Sequence, residues 1–214
     1  PFPAGFPRET VSMDITGPHP QSRDGNVYIL TVLDSFTKWA EAIPIRNHTA
    51  QVVARKLVEV VFSRYGAPLR LLSDQGAEFE SAVIPELCRS YQIEKIRTTS
   101  YQPRTNGAVE RFHRVLNSML GKVVCESQKD WDRRLPEVMA AYRATVHSST
   151  GFTPNFLVYG HEVRAPLDLV IAVADEPEGV GTSPDDYVNE MLDRKRKAHD
   201  LVRRNLGRAA ERRK

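Results

Sequence analysis

Hydrophobic and polar positions begin on a two-residue period. The first ten residues, PFPAGFPRET, are broken by Pro and Gly and read as an extended arm. VSMDI, with the two residues before it, alternates and predicts a strand ending near Asp14. TGPHPQSRDGN is turn chemistry, and VYILTVLD is a near-continuous apolar, β-branched run that predicts a strand buried on both faces. KWAEAIPI predicts a third strand. From Thr49 the period changes: TAQVVARKLVEVVFSRYG puts Val53, Leu57, Val60 and Val61 on one helical stripe, ended by Gly66 and Pro68. LRLLSD reads as a strand stopping at Asp74, SAVIPELCRSYQ as a short helix and KIRTT as a fifth strand.

An antiparallel meander followed by alternating strand and helix is the signature of an α/β fold, here a mixed five-stranded sheet flanked by helices. SYQPRTNG reads as loop, followed by a helix from about Asn106 to Val124. WDRRLPEVMAAYRATVH predicts another helix with Pro136 disturbing its first part, and Thr153-Pro154 to Gly160 a short capped one. Residues 172–183 form an acidic Gly/Pro linker. Residues 184–214 predict a long amphipathic helix with Val188, Met191, Ala198, Leu201 and Val202 on its apolar side. The expected organisation is therefore an arm (1–10), a core (11–171), a linker (172–183) and a terminal helix (184–214).

Charge changes this picture at the C-terminus. The net charge is +3, yet residues 191–214 carry ten Lys/Arg against Asp193, Asp200 and Glu211, a balance of +7 that leaves −4 for the rest. A basic helix of this kind suits nucleic acid as well as plain solvation. No apolar run approaches membrane-spanning length, so no membrane partner is expected, and no signal peptide opens the chain. The first residue is Pro, which reads as an excerpt or a processed product. Cys88 and Cys125 form neither a disulfide framework nor a CxxC zinc motif, and read as buried thiols in a reducing compartment.

Three carboxylates stand out by position. Asp14 closes the first predicted strand, Asp74 ends the fourth, and Glu110 lies in the first turns of the helix from Asn106. On that helix Val109, Phe112, Leu116, Met119, Leu120 and Val123 share one side, while Glu110, Arg114, Asn117 and Gly121 line the other, so Glu110 faces away from the core. Two carboxylates about 4 Å apart repel by roughly 4 kcal/mol at an effective dielectric near 20. Converging acids therefore either take up protons or bind a cation, and oxygen ligands favour Mg²⁺ or Mn²⁺ over zinc. Two such ions could serve phosphodiester displacement. Spacing alone carries little: with 12 Asp and 15 Glu in 214 positions, an Asp-to-Glu pair at this separation is expected about once by chance.

The surrounding motifs carry more. VSMDITGP, YILTVLDSFTKWAEAIP, LLSDQGAEF, YQPRTNGAVERFHRVLNSML and AYRATVHSSTGFTPNFLVYG, in this order from Val11 to about Leu169, resemble the integrase core of gypsy-type LTR retrotransposons, related to retroviral integrases. The resemblance implies an RNase H-like fold in which Asp14, Asp74 and Glu110 are the DDE catalytic residues holding two Mg²⁺ or Mn²⁺ ions. It implies trimming of linear cDNA ends and their joining to target DNA, in a homo-oligomer acting in the nucleus after a cytoplasmic particle stage. It further implies a flexible loop from Ser100 to Gly107 whose Tyr101, Gln102 and Asn106 contact DNA. Arg114 and Asn117 would touch phosphates, and Glu41 would lie near the DNA terminus. His113, on the edge between the helix faces, is a candidate for contact with DNA or support of the site, against plain packing. The family's N-terminal His2Cys2 zinc domain and C-terminal barrel or chromodomain have no counterpart in these residues, and the final helix is expected to lead to the latter.

Plainer readings stand beside these. Asp34 is expected to bond the following turn, Glu78 and Glu80 to be solvated or loop-capping, His147 to cap a helix end, and Trp39 and Trp131 to be core or interface aromatics. Two alternatives differ in class: a domesticated DNA-binding protein that lost catalysis, and a ribonuclease H. No decayed acid favours the first, and the motifs around Asp74 and Glu110 oppose the second.

Overall fold

The computed structural model describes residues 4–97, 103–124, 128–164 and 183–212; the side chains of residues 103–106 and 184 lie outside that description. The chain forms two compact units, residues 1–142 and 143–214.

In the first unit β1 (Thr10–Thr16), β2 (Tyr28–Asp34) and β3 (Ala40–Ile45) form the antiparallel meander, and β4 (Arg70–Ser73) and β5 (Glu94–Arg97) add in parallel on the far side of β1. The sheet order is β3-β2-β1-β4-β5. β1 runs two residues past Asp14, contrary to the expected end there. Antiparallel partners on β2 hold it through Asp14↔Thr31, Ile15↔Leu30 and Thr16↔Ile29, whereas β4 accompanies it only over Thr10–Ser12.

Alternation then divides the sheet into two faces. Val11, Met13, Leu30, Val32, Ile43, Ile45 and Leu71 pack beneath α1 (Ala50–Lys56), the π-helical turn that continues it (Leu57–Phe62), α2 (Ser63–Tyr65), α3 (Ala77–Glu80) and α4 (Val83–Ser90). The π turn corrects the predicted stripe. Its extra residue advances the helical phase, so Phe62 is buried and Val60 only partly so. On the other face Ile29, Leu33, Ala40 and Ala42 meet α5 (Pro103–Val123) and α6 (Trp131–Arg143) through Val109, Phe112, Leu116, Leu135 and Val138. α5 begins at Pro103, inside the predicted loop; Pro suits a first helical position, where no backbone donor is needed. Val123 is exposed at the helix end.

The loop between β1 and β2 is pinned to α6. Buried Asp132 accepts from Ser22 Oγ at 2.5 Å and Asn26 Nδ2 at 2.8 Å, and Trp131 Nε1 donates to Pro20 O at 2.7 Å. Asp132→Ala strands the buried Ser22 hydroxyl and the half-buried Asn26 amide and is expected to cost about 1–3 kcal/mol in urea denaturation. Asp132→Asn, which keeps one acceptor oxygen, is expected to cost less.

In the second unit α7 (Pro154–Tyr159) has Thr153 as its cap, with Oγ1 accepting from Phe156 N–H at 3.0 Å, and Gly160 in the left-handed conformation at its end. α8 (Pro184–Glu211) starts at Ser183 and holds this segment by side-chain donors to backbone oxygens. Lys195 Nζ reaches Val158 O at 2.8 Å, and Asn205 Nδ2 reaches Thr150 O at 2.8 Å. Ala198 and Val202 are buried, but Val188 and Leu201 are exposed, so part of the predicted apolar stripe is uncovered. The backbone of His147 bridges Phe152, and its Nδ1 faces Ser149. No helix among the described residues is long and apolar enough to cross a membrane.

Candidate active site

The β1–β4 register explains why two distant aspartates share one sheet edge. Ser12 pairs with Leu72, so continuing the ladder by two residues would set Asp14 beside Asp74. β4 stops at Ser73, and Asp74 turns the chain, its Oδ1 accepting from Gly76 N–H at 3.0 Å. Asp14 lies on the α5 face of the sheet, shared with its partner Thr31 and with Ala42. α5 crosses this face with Val109 and Phe112 buried, which leaves Glu110 exposed beside them.

Asp14 records this company. Ile15 N–H bonds its Oδ1 at 2.8 Å, yet its carboxyl is pushed up to about 6, first by burial and then by the negative charges of Asp74, Glu110 and Glu78. Among the described residues no three Asp, Glu, His or Cys side chains, as turned here, stand close enough to encircle a metal ion. The donor chemistry nevertheless fits a hard divalent cation: Asp74, just past the end of β4, Glu110 on α5 and Glu78 on α3 all bear on Asp14, and a cation would offset that shared charge.

An acid whose folded pKa exceeds its unfolded value holds its proton more tightly in the folded state. Its stabilising effect is full below the unfolded pKa and is lost as pH rises through the folded one. Asp14 therefore makes the cation-free protein lose stability as pH rises from about 4 to 6, and Mn²⁺ should restore it above pH 6. Melting curves from pH 4 to 8, with and without Mn²⁺, check this. Because other groups titrate in this range, the effect is the difference from Asp14→Asn, in which it should vanish.

The other predicted residues divide. Arg114 and Asn117 are exposed on α5. Tyr101 and Gln102 lie outside the described residues; Asn106 is within α5, but its side chain lies outside the description. Glu41 is corrected: it pairs with Val32, on the sheet face opposite Asp14, and is buried there. Its Oε1 accepts from Trp39 Nε1 at 3.2 Å and from Tyr65 O–H at 2.9 Å, because alternation sends it toward the helical layer of α1 and α2. His113 does not project outward: its Nε2 lies 2.8 Å from Thr31 Oγ1 and its Nδ1 3.9 Å from Asp14 Oδ2, and burial draws its pKa down.

Among the plainer expectations, Asp34 is buried and accepts from Thr37 N–H and O–H and from Arg8 N–H. Glu80 pairs with Lys95 and Arg97. Trp39, Trp131 and Cys88 are buried. Sequence reasoning missed Thr31. Its signal was a small polar residue in the middle of an apolar strand.

Residues 6–103 match the model of the integrase core domain family. The chain is 31% identical over 198 residues to the retrovirus-related Pol polyprotein from transposon 412 of Drosophila melanogaster. The match covers 92% of this chain and 16% of that polyprotein, so the chain spans a small part of that relative's length. The HTLV-2 integrase catalytic core, solved in complex with magnesium in a trimeric form, superposes with a TM-score of 0.56 at 19% identity, covering 70% of this chain and 95% of that one. A chain of the simian T-cell lymphotropic virus intasome, in complex with PP2A regulatory subunit B56 gamma, gives 0.63 at 19% identity, covering 76% and 58%. The matched segment carries β1 to β5, so residues 6–103 are an integrase core domain, similar to part of the Pol polyproteins of retroviruses and retrovirus-related transposons.

Proposed function

We propose that the chain is the catalytic core of a DNA integrase that trims the 3′ ends of a retroelement cDNA and joins them to target DNA. Asp14, Asp74 and Glu110 would hold two divalent ions, Mg²⁺ or Mn²⁺. The observation that supports this most is the carboxyl of Asp14, raised to about 6 by burial and by Asp74, Glu110 and Glu78 within one integrase-type sheet.

Bound at this edge, divalent cations would acidify the attacking oxygen and neutralise charge on the scissile phosphate and leaving oxygen. The residues supply position. Asp14 is held within β1 and Asp74 follows directly on β4, strands that cannot slide without breaking the ladder, while Glu110 would approach from a separately packed helix. Each step breaks one P–O3′ bond and forms one P–O bond, with the attacking oxygen giving up its proton and the leaving 3′-oxygen gaining one; trimming leaves a phosphomonoester and a 3′-hydroxyl, and joining leaves a new phosphodiester. Water attacks in trimming, and a DNA 3′-hydroxyl attacks in joining. Arg114 and Asn117, on exposed positions of α5 beyond Glu110, suit backbone phosphates. Tyr101, Gln102 and Asn106 complete the proposed DNA contacts, with the basic helix α8 as further electrostatic support. Action as a homo-oligomer in the nucleus belongs to the same proposal.

The test is resolution of a branched DNA that mimics the joined product, with Mn²⁺ or Mg²⁺, beside an RNA–DNA hybrid. Cation-dependent resolution of the branched DNA is the expected result. Hybrid cleavage alone would identify a ribonuclease H, and cation-independent binding without cleavage a DNA-binding protein that has lost catalysis.

A further inference from the structure

The contact between His113 and Thr31 has a defined direction. Thr31 is fully buried on β2, opposite Asp14 on β1. Its hydroxyl has one proton, and that proton is directed to the backbone oxygen of Asp14 at 3.0 Å. The 2.8 Å contact with His113 must then run from imidazole Nε2–H to Thr31 Oγ1. This sets the ring in its Nε2–H form, with Nδ1 turned toward Asp14 Oδ2 at 3.9 Å. His113 stands one helical turn after Glu110 on α5, and its partner stands beside Asp14 in the sheet.

We propose that His113 and Thr31 form a latch that sets Glu110 relative to Asp14, making His113 a positioning residue for cation binding. Packing of Val109, Phe112 and Leu116 anchors α5 on the sheet but is apolar and non-directional, so it sets the position of Glu110 less sharply than a hydrogen bond does. The chain His113 Nε2–H to Thr31 Oγ1–H to Asp14 O is directional, and it joins the turn bearing one acid to the peptide bearing another. Because an ion between Asp14 and Glu110 needs both carboxylates in place, losing the latch should weaken cation binding by roughly 10–100-fold, as loss of outer-shell support does at metal sites. This inference rests on the proposed cation site but not on DNA transfer.

The test uses the full chain and Mn²⁺ as probe. Nitrogen NMR of the wild-type imidazole should report the Nε2–H tautomer. Calorimetry should show His113→Ala, His113→Asn and Thr31→Val each losing about 10-fold or more in Mn²⁺ affinity. His113→Gln, whose amide places a donor at the Nε2 position, should stay within about threefold, as should Thr31→Ser. Thr31→Val combined with His113→Ala should be no worse than either alone. On branched DNA the loss should fall on kcat, with KM for DNA unchanged. An Nδ1–H tautomer, equal affinities for the Gln and Asn variants, or additive losses would overturn the latch. A wild-type chain that binds Mn²⁺ and shows the tautomer but leaves DNA unchanged would support the latch and overturn the integrase reading alone.

Discussion

Glu110→Gln should abolish cation-dependent resolution of branched DNA, with a loss of ~10²–10³-fold or more in kcat, the cost of removing one preorganised charge-stabilising group. The substitution keeps the shape of the side chain and removes one negative charge. Glu110 is exposed while its helix is anchored by Val109, Phe112 and Leu116, so the fold should persist and the melting temperature change little. Mn²⁺ affinity should fall in parallel, which separates a lost ligand from a lost DNA contact. Arg114→Ala, on the same exposed face, should instead raise KM for DNA and weaken the dependence on salt. Unchanged turnover in Glu110→Gln would remove Glu110 from the site and, with it, the proposed mechanism.

Phe79→Ala should lower the unfolding free energy by about 3–5 kcal/mol in urea denaturation, a large share of the ~5–15 kcal/mol available to a domain. Phe79 is only 1% exposed and belongs to the core beneath α1 and α4, with Val53, Leu57 and Ile84. Truncation leaves a cavity that α3, a single turn, has few other contacts to close. The buried ring also anchors the turn after Asp74 to the core, a turn whose backbone is closed by Phe79 N–H to Gly76 O at 2.9 Å and by Gly76 N–H to Asp74 Oδ1 at 3.0 Å. Weaker Mn²⁺ binding should therefore accompany the lost stability at temperatures where the variant is folded. A loss below about 1 kcal/mol would mean that the site collapses around the smaller side chain, and that α3 is anchored elsewhere.

Periodicity determined much of this architecture. The unbroken run of β2 reads as a central strand because both of its faces are covered, and the stripe of α5 reads as a packed helix with Glu110 on the free side. Local chemistry was equally legible at Thr153 and Ser183, where the capping hydroxyls and the prolines that follow them mark helix starts. What depends on pairing between distant segments was not legible. The end of β1 is set by β2, the phase of the helix after Lys56 by a π turn, and the side of the sheet Glu41 occupies by its opposition to Val32. The resemblance implies that Glu41 lies near the DNA terminus, but a strand's two-residue alternation puts it on the sheet face opposite Asp14. The Asp14–Thr31–His113 chain is likewise invisible in sequence, since its members lie on three elements and meet only through strand register and helix packing. Sequence alone determined which residues could carry charge, bury surface or begin a helix, because those properties are local. Tertiary structure decided which of them meet, because hydrogen bonds and Coulomb forces act over a few ångströms whatever the separation along the chain.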